Sequence, residues 1–257
     1  MYILGTDETN LHPSQQGKFF IYGGLILPVE NLPLLDAKIS AIRADAGYRE
    51  VDEFKFDTRT RPEQVSVAQA TAAKRETVRA CIDLGATFVA CVVHHGILKN
   101  ADARQQIGWA ANHVIGRFNK YLSEVGSYGL CLVDRLPLER DYDYLIEKFT
   151  KGLDQANETY IRLERITLFG STCINASHFA SAVDIVLGSF RYCVSDPMNV
   201  EAAREMLGNV AGLMWGFHVG DVKYIAERGL ILRPKTVRKP EYRQDYEDLL
   251  ARLIALA

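Results

Sequence analysis

Cysteine is scarce in this chain of 257 residues, and its spacing carries no metal or redox motif. The five cysteines stand far apart, at positions 81, 91, 131, 173 and 193. No two of them form a Cys-x-x-Cys pair, so neither a zinc ribbon nor a thioredoxin-type redox site is supported. Most lie in apolar runs, where cysteine behaves as a small buried hydrophobic residue. A reducing compartment is therefore expected.

Long hydrophobic runs are missing as well. No window reaches the roughly 18 apolar residues that a transmembrane helix needs. The opening residues, MYILGTDETN, lack the basic segment and apolar core of a secretion signal. Repeats and Pro- or Ser-rich linkers are also absent. We therefore expect a cytoplasmic protein without a membrane partner, folded as one domain over residues 1–257.

The chain also lacks a large excess of charge of either sign. The net charge is −2 and the pI is about 6.3, so the whole molecule does not attract polyanions. One segment is locally basic, with cations at Arg228, Arg233, Lys235, Arg238, Lys239 and Arg243. Two interpretations stay open: the segment balances acidic groups elsewhere, or it forms a strip that binds nucleic acid.

What the sequence does contain is an alternation of strands and helices, which predicts an α/β fold. Strand-like runs are YILGTDE, GKFFIYGGLILP, the brief EFKF, ATFVACVV, YGLCLVD and RITLFG. Helical spacing predicts helices over 31–46, 63–84, 101–125, 141–157, 177–193 and 200–217, and from Glu241 onward. The segment 228–240 is predicted to be the least structured.

Carboxylates stand where two of these strands end. Asp7 and Glu8 close the first strand, and Asp134 closes YGLCLVD. Ligands collect outside strand ends in open α/β sheets, so these acids would face one pocket if their strands are neighbours. Glu8 ranks second, because adjacent strand residues point to opposite faces.

Two further acids belong to the same hypothesis. Asp184 interrupts an apolar helix face, where an ionised carboxylate needs a cation or a metal ion as a partner. Glu53 stands beside Lys55 in EFKF. Oxygen ligands without a His or Cys cluster favour Mg²⁺ or Mn²⁺ over Zn²⁺. The alternatives without a metal site are a turn or cap at Asp7 and a surface ion pair between Glu53 and Lys55.

Other catalytic patterns are weaker. His94 and His95 end a strand and are interpreted as a polar strand terminus. No Gly-x-Ser-x-Gly motif is present, so a serine hydrolase is not supported. Helices carrying Trp109 and Trp215 either build the core or form a dimer face, and a homodimer is a partner prediction on that ground.

Four short motifs together resemble the domain-of-unknown-function family 3800. They are GTDET around Asp7, EFKF from Glu53, LVD ending at Asp134 and SAVDIVLG around Asp184, and they span most of the chain. The resemblance implies a ribonuclease H-like mixed central sheet flanked by helices, with additional C-terminal helices at about 195–257. It also implies a site for two metal ions.

Carried over by position, Asp7 and Glu8 match the family's opening Asp-Glu, and Glu53 and Lys55 match its Glu-x-Lys. Asp134 matches the acid that ends a middle strand, and Asp184 matches the final acid. Two departures occur: Ser181 replaces a Gln three residues before that acid, and Thr9-Asn10 replaces small residues. The first removes a carboxamide and bears on substrate contacts more than on metal binding.

The predicted function is a divalent-metal-dependent nuclease or phosphodiesterase that acts on DNA or RNA with Mg²⁺ or Mn²⁺. The predicted catalytic residues are Asp7, Glu53, Asp134, Asp184 and Lys55, with Glu8 as a further metal ligand and Lys55 on the phosphate. The alternatives are a non-catalytic binding module of a mobile-element or phage-defence system that retains the fold, and a glycosidase that uses two of these acids.

Overall fold

The computed structural model describes residues 1–13, 17–134, 141–155, 159–195, 197 and 199–256. Its ten strands in this part are β1 Tyr2–Thr9, β2 Phe19–Pro28, β3 Thr87–His94, β4 Gly129–Asp134, β5 Leu153–Gln155, β6 Thr159–Ile161, β7 Ile166–Thr172, β8 Phe217–Val219, β9 Val222–Tyr224 and β10 Leu230–Arg233. Its eight α-helices there are α1 Leu32–Asp45, α2 Val67–Asp83, α3 His95–Leu98, α4 Ala103–Glu124, α5 Asp141–Thr150, α6 His178–Val194, α7 Val200–Leu213 and α8 Pro240–Leu256.

Six strands form one mixed sheet in the order β10-β3-β2-β1-β4-β7. β2 is antiparallel to both β1 and β3, whereas β4 runs parallel to β1 and β7 runs parallel to β4. The ends of β1, β4 and β7 therefore lie at the same edge of the sheet. The predicted α/β fold with a mixed central sheet flanked by helices is confirmed.

Helices cover both faces of the sheet, because successive strand residues point to opposite sides. Ile3 packs in a core with Leu35 of α1 and Val183 of α6. Its neighbour Leu4 packs in a second core with Val114 and Phe118 of α4. α6 lies so close to β1 that a Cβ on Gly5 would stand 2.7 Å from the Phe179 ring. This close approach brings Asp184 to the end of β1.

Several predicted helices are confirmed, among them 31–46, 101–125 and 177–193. The helix predicted over 63–84 begins at Val67, where Ser66 and Gln69 form a capping box. The helix predicted over 141–157 ends at Thr150, because Gly152 has a φ of +100° and the chain then turns into β5; residues 156 and 157 lie outside the described residues.

The helix predicted over 200–217 ends at Leu213, because the following backbone joins the sheet: Trp215 N–H donates to Phe88 O at 3.0 Å. The predicted strand EFKF is wrong. Residues 53–56 form a loop, and the backbone N–H and carbonyl of its last residue, Phe56, are bound by side chains of α6 and α2 instead of a neighbouring strand.

The segment 228–240 is more ordered than predicted, since β10 pairs with β3 inside the central sheet. The C-terminal segment of about 195–257, predicted as helical, thus contains α7 and α8 together with strands β8, β9 and β10. Its folding with the rest as a single domain stays a prediction, as does the homodimer.

The basic segment is largely balanced by acids. Arg228 pairs with Glu124 at 2.6 Å, and Arg233 pairs with Glu227 at 2.6 Å. These pairs favour the first interpretation of the segment, the neutralisation of nearby carboxylates. Among the helices of the described ranges, none is both long and apolar enough to cross a membrane.

Candidate metal centre

Asp7 and Asp134 meet because their strands are parallel neighbours in register. Thr6 of β1 pairs with Val133 of β4, so the residue after each lies at the same level on the same face. One carboxylate oxygen of each, together with one of Glu8, lies within 4.8 Å of the other two. The prediction that these strand ends share one pocket therefore agrees with the geometry.

Glu8 joins this group although β1 continues to Thr9. The pairing of β1 with β4 stops at Thr6, whereas its pairing with β2 continues to Thr9. Beyond Thr6 none of the described residues pairs with β1 on its β4 side, which is the open side of the strand in this part of the chain, and the Glu8 carboxylate lies near Asp134. The Glu8 backbone N–H also donates to Asp7 Oδ1 at 2.7 Å. The carboxylates of neighbouring residues thus converge despite the alternation of strand faces.

The pocket is a cavity of about 320 Å³, and Asp184 lines it from α6. Its Oδ2 accepts the Phe56 backbone N–H at 2.6 Å. Asp184 adds to the negative field on Asp7 but lies outside the group of three oxygens within 4.8 Å. It is therefore a more distant member of the carboxylate cluster.

Lys55 also lines this pocket, and Glu53 forms an ion pair with it. Lys55 Nζ lies 2.8 Å from Glu53 Oε2. The hydrogen bond that Lys55 donates to Glu53 raises the pKa of Lys55, and the charges of Asp184 and Asp134 act in the same direction. Lys55 is therefore a cation directed at the cluster, whereas Glu53 is not among the residues that line the cavity.

Crowding and burial change the acidity of the cluster. Burial raises the pKa of Asp7 well above its ordinary value, and the charges of Asp134, Glu8 and Asp184 raise it further. Burial and the charge of Asp134 raise the pKa of Glu8 to about 7. Burial also raises the pKa of Asp184, which the Phe56 N–H and Lys55 partly oppose.

These acids fit a divalent cation. Three carboxylate oxygens within 4.8 Å form a set of hard oxygen donors, the kind that Mg²⁺ and Mn²⁺ prefer. Their mutual repulsion, visible in the raised pKa values of Asp7 and Glu8, would be relieved by such an ion.

Sequence reasoning missed the third strand of the site. Thr172 and Cys173, at the end of β7, line the pocket beside Asp134. The signal was present, since RITLFG is a strand followed by Ser171 and Thr172 and could have been placed parallel to YGLCLVD. Ser181, where the resembled family has a carboxamide, is buried and does not line the pocket.

The histidines lie elsewhere. His94 Nε2 is 3.0 Å from Asp245 Oδ2, and its Nδ1 accepts the Gly96 N–H at 3.0 Å. Its ring stacks on Tyr242 with centroids 4.4 Å apart. Both ring nitrogens are therefore engaged at the junction between β3 and α8, as expected for a polar strand terminus.

Comparison with known proteins finds no matching family model and no matching curated protein. Two of the similar solved structures are a mutant protein of Bst-RNase HIII (13% identity, TM-score 0.38) and Bst-RNase HIII in complex with Mn²⁺ (11% identity, TM-score 0.39). They cover 82% and 83% of this chain, and the chain spans 64% of each of them. The likeness is distant, so the chemistry of this chain has to be argued from its own side chains.

Proposed function

We propose that this protein is a divalent-metal-dependent nuclease or phosphodiesterase that hydrolyses nucleic-acid phosphodiester bonds. One observation carries the proposal: the carboxylate oxygens of Asp7, Glu8 and Asp134 lie within 4.8 Å of one another at the ends of two parallel strands. Such a concentration of negative charge destabilises a site that has no cation. The four motifs that led to this cluster support membership of family 3800 as part of the same proposal.

Each acid has a distinct place in the proposed site. Asp7 and Asp134 would hold Mg²⁺ or Mn²⁺ between the two strand ends, and Glu8 would complete the set of oxygens from the open side of β1. Asp184, fixed by the Phe56 N–H, would bind at the α6 side. Bound divalent ions at such sites stabilise the charge that develops on a phosphate during hydrolysis.

Among the described residues that line this pocket, Lys55 supplies a positive charge. Its ammonium group is protonated at neutral pH, and the hydrogen bond to Glu53 raises its pKa further. It would contact a non-bridging oxygen of the phosphate as a point charge. Glu53 would position Lys55 through their ion pair, and its predicted role as a metal ligand stays part of the proposal.

Calorimetric titration of Mn²⁺ tests the metal centre directly. Asp7→Asn and Asp134→Asn should each weaken Mn²⁺ binding by about tenfold or more, because each removes one charged ligand. The matched control is Asp83→Asn on α2, whose carboxylate is exposed and lies 3.7 Å from Lys38. Circular dichroism of every variant checks that the fold is intact.

The same four proteins are then incubated with single- and double-stranded DNA and RNA in Mg²⁺ or Mn²⁺. Cleavage by wild type and Asp83→Asn that disappears in the other two variants is the expected result. Wild-type protein that binds no Mn²⁺ would overturn the metal centre. Metal binding without cleavage of any substrate would favour the alternative, a non-catalytic binding module.

A further inference from the structure

A second cavity, of about 380 Å³, lies on the other side of Phe56 from the carboxylate cluster. It is lined by the loop at Phe56–Thr58, by α2, by the C-terminal part of α6 and by α7. Among the described residues, its charged lining consists of three cations and two carboxylates: Lys74, Arg75, Arg191, Asp57 and Glu205. Positive charge is in excess within this part of the lining.

The two carboxylates are already engaged. Glu205 Oε1 lies 2.7 Å from Arg75 Nε, and Asp57 Oδ2 lies 2.7 Å from an Arg59 guanidinium nitrogen. Lys74 and Arg191 are different: among the described residues, neither has a carboxylate oxygen within 4.0 Å. The charges of Asp57 and Asp184 act on both cations at longer range, without a direct ion pair.

Both cations lie near one aromatic ring. Lys74 Nζ is 5.2 Å from the centroid of Phe56, and Arg191 Cζ is 5.6 Å from the same centroid. Arg191 makes no side-chain hydrogen bond within the described part of the chain, so its planar set of donors is available. A guanidinium of this kind suits an anion with two oxygens in one plane.

Lys74 is the more deeply buried of the pair, with 8% of its surface exposed. Its one hydrogen bond to a described residue goes to Phe56 O at 2.6 Å. Burial lowers the pKa of Lys74 to about 8, although the charges of Asp57 and Asp184 raise it. A buried ammonium group with so few partners is costly, and an anion in the cavity would offset that cost.

The first turn of α7 adds to the positive field. Asn199 caps this helix by accepting the Ala202 N–H at 3.0 Å, and both residues line the cavity. The positive end of a helix dipole thus lies at the same wall as Arg191 and Lys74.

We infer that this cavity binds a phosphate group of the nucleic acid that the neighbouring carboxylate centre acts on. The inference rests on the proposed function, because it assigns a second contact to the same substrate. Phe56 separates the two sites: its backbone N–H donates to Asp184, which lines the carboxylate pocket, and its backbone carbonyl accepts from Lys74. A nucleic-acid strand that enters the first site would place a neighbouring phosphate at the second.

Binding of inorganic phosphate to metal-free protein in EDTA is the first measurement, made by calorimetry. Wild type should bind phosphate, and Arg191→Gln should weaken that binding by about tenfold, the loss expected for one charge-assisted contact. Lys74→Met should act in the same direction. Arg79→Gln is the control, because Arg79 is exposed on α2 and pairs with Glu76.

A second measurement uses a short single-stranded oligonucleotide and the same variants, again without metal. Its affinity should fall in Arg191→Gln and stay unchanged in Arg79→Gln. Wild type that binds no phosphate, or binds it as tightly as Arg191→Gln does, would overturn the site. If phosphate binding depends on Arg191 but oligonucleotide binding does not, the bound phosphate group does not belong to a nucleic acid, and that part of the inference is refuted. Because metal is absent, a failure of the carboxylate centre leaves these results unaffected.

Discussion

Asp7 and Glu8 are adjacent in sequence, and both carry carboxyl groups that are harder to ionise than usual. Burial is the largest cause for each, and the charge of Asp134 is the next. For Glu8 the pKa rises from its ordinary 4.5 to about 7. The unfolded chain therefore releases this proton at a lower pH than the folded protein does. The stability that the neutral form provides is present below pH 4.5 and is lost as the pH rises through 7.

Glu8→Gln should therefore stabilise the metal-free protein at neutral pH, because it removes this cost of ionisation. The free energy of unfolding of Glu8→Gln should be close to that of wild type at pH 4.5 and higher by about 1–3 kcal/mol at pH 7.5. Urea denaturation in EDTA at both pH values measures the difference. Glu76→Gln, an exposed acid on α2, serves as the control. A difference for Glu8→Gln that does not change with pH would refute this account.

The hydroxyl group of one tyrosine of α8 forms hydrogen bonds with two strands of the central sheet. Tyr246 Oη accepts the His94 backbone N–H at 2.7 Å and donates to Arg233 O at 2.6 Å. These groups stand at the ends of β3 and β10, where the ladder stops. The tyrosine is buried, so no solvent replaces it as their partner.

Tyr246→Phe should lower the free energy of unfolding by about 1–3 kcal/mol, because it leaves two buried backbone groups without a partner. Tyr242→Phe is the matched control on the same helix, since its hydroxyl contacts Lys239 at 3.4 Å in an exposed position. Denaturant unfolding of both variants gives the comparison. Equal effects of the two substitutions would show that the hydrogen bonds of the Tyr246 hydroxyl do not stabilise the packing of α8 on the sheet.

The strand ends were predictable from sequence because their signal is local. An apolar run that stops at Asp7 or Asp134 marks both a strand and its last residue. Phe56 and β10 were not predictable in this way. The backbone at Phe56 is held by Asp184 and Lys74, which are distant in sequence, and β10 has only four residues inside a basic segment. Tertiary contacts determine both the loop conformation at Phe56 and the formation of β10.

At the scale of the whole molecule, the sheet and α6 bring together acids that the sequence separates by more than a hundred residues. The parallel pairing of β1 with β4 places Asp134 beside Asp7, and the close packing of α6 on Gly5 adds Asp184. The pairing itself could not be read from the sequence. Asp184 was recognisable because its apolar flanks require a partner, whereas the more exposed Glu53 gave no such signal.

Phe56 also lies between the two sites in a way that can link them. Its backbone N–H donates to Asp184 and its backbone carbonyl accepts from Lys74, and these groups belong to the two successive peptide planes that meet at its Cα. A ligand that moves Lys74 is therefore expected to move this loop and, with it, the hydrogen bond to Asp184. We expect saturating phosphate to change the affinity for Mg²⁺, and Mg²⁺ to change the affinity for phosphate by the same factor, because such linkage is reciprocal. Calorimetric titration of each ligand with and without the other measures both factors. Independent affinities would exclude the linkage; a shared factor different from one would make the two cavities a single cooperative unit, in which occupation of one by substrate prepares the other.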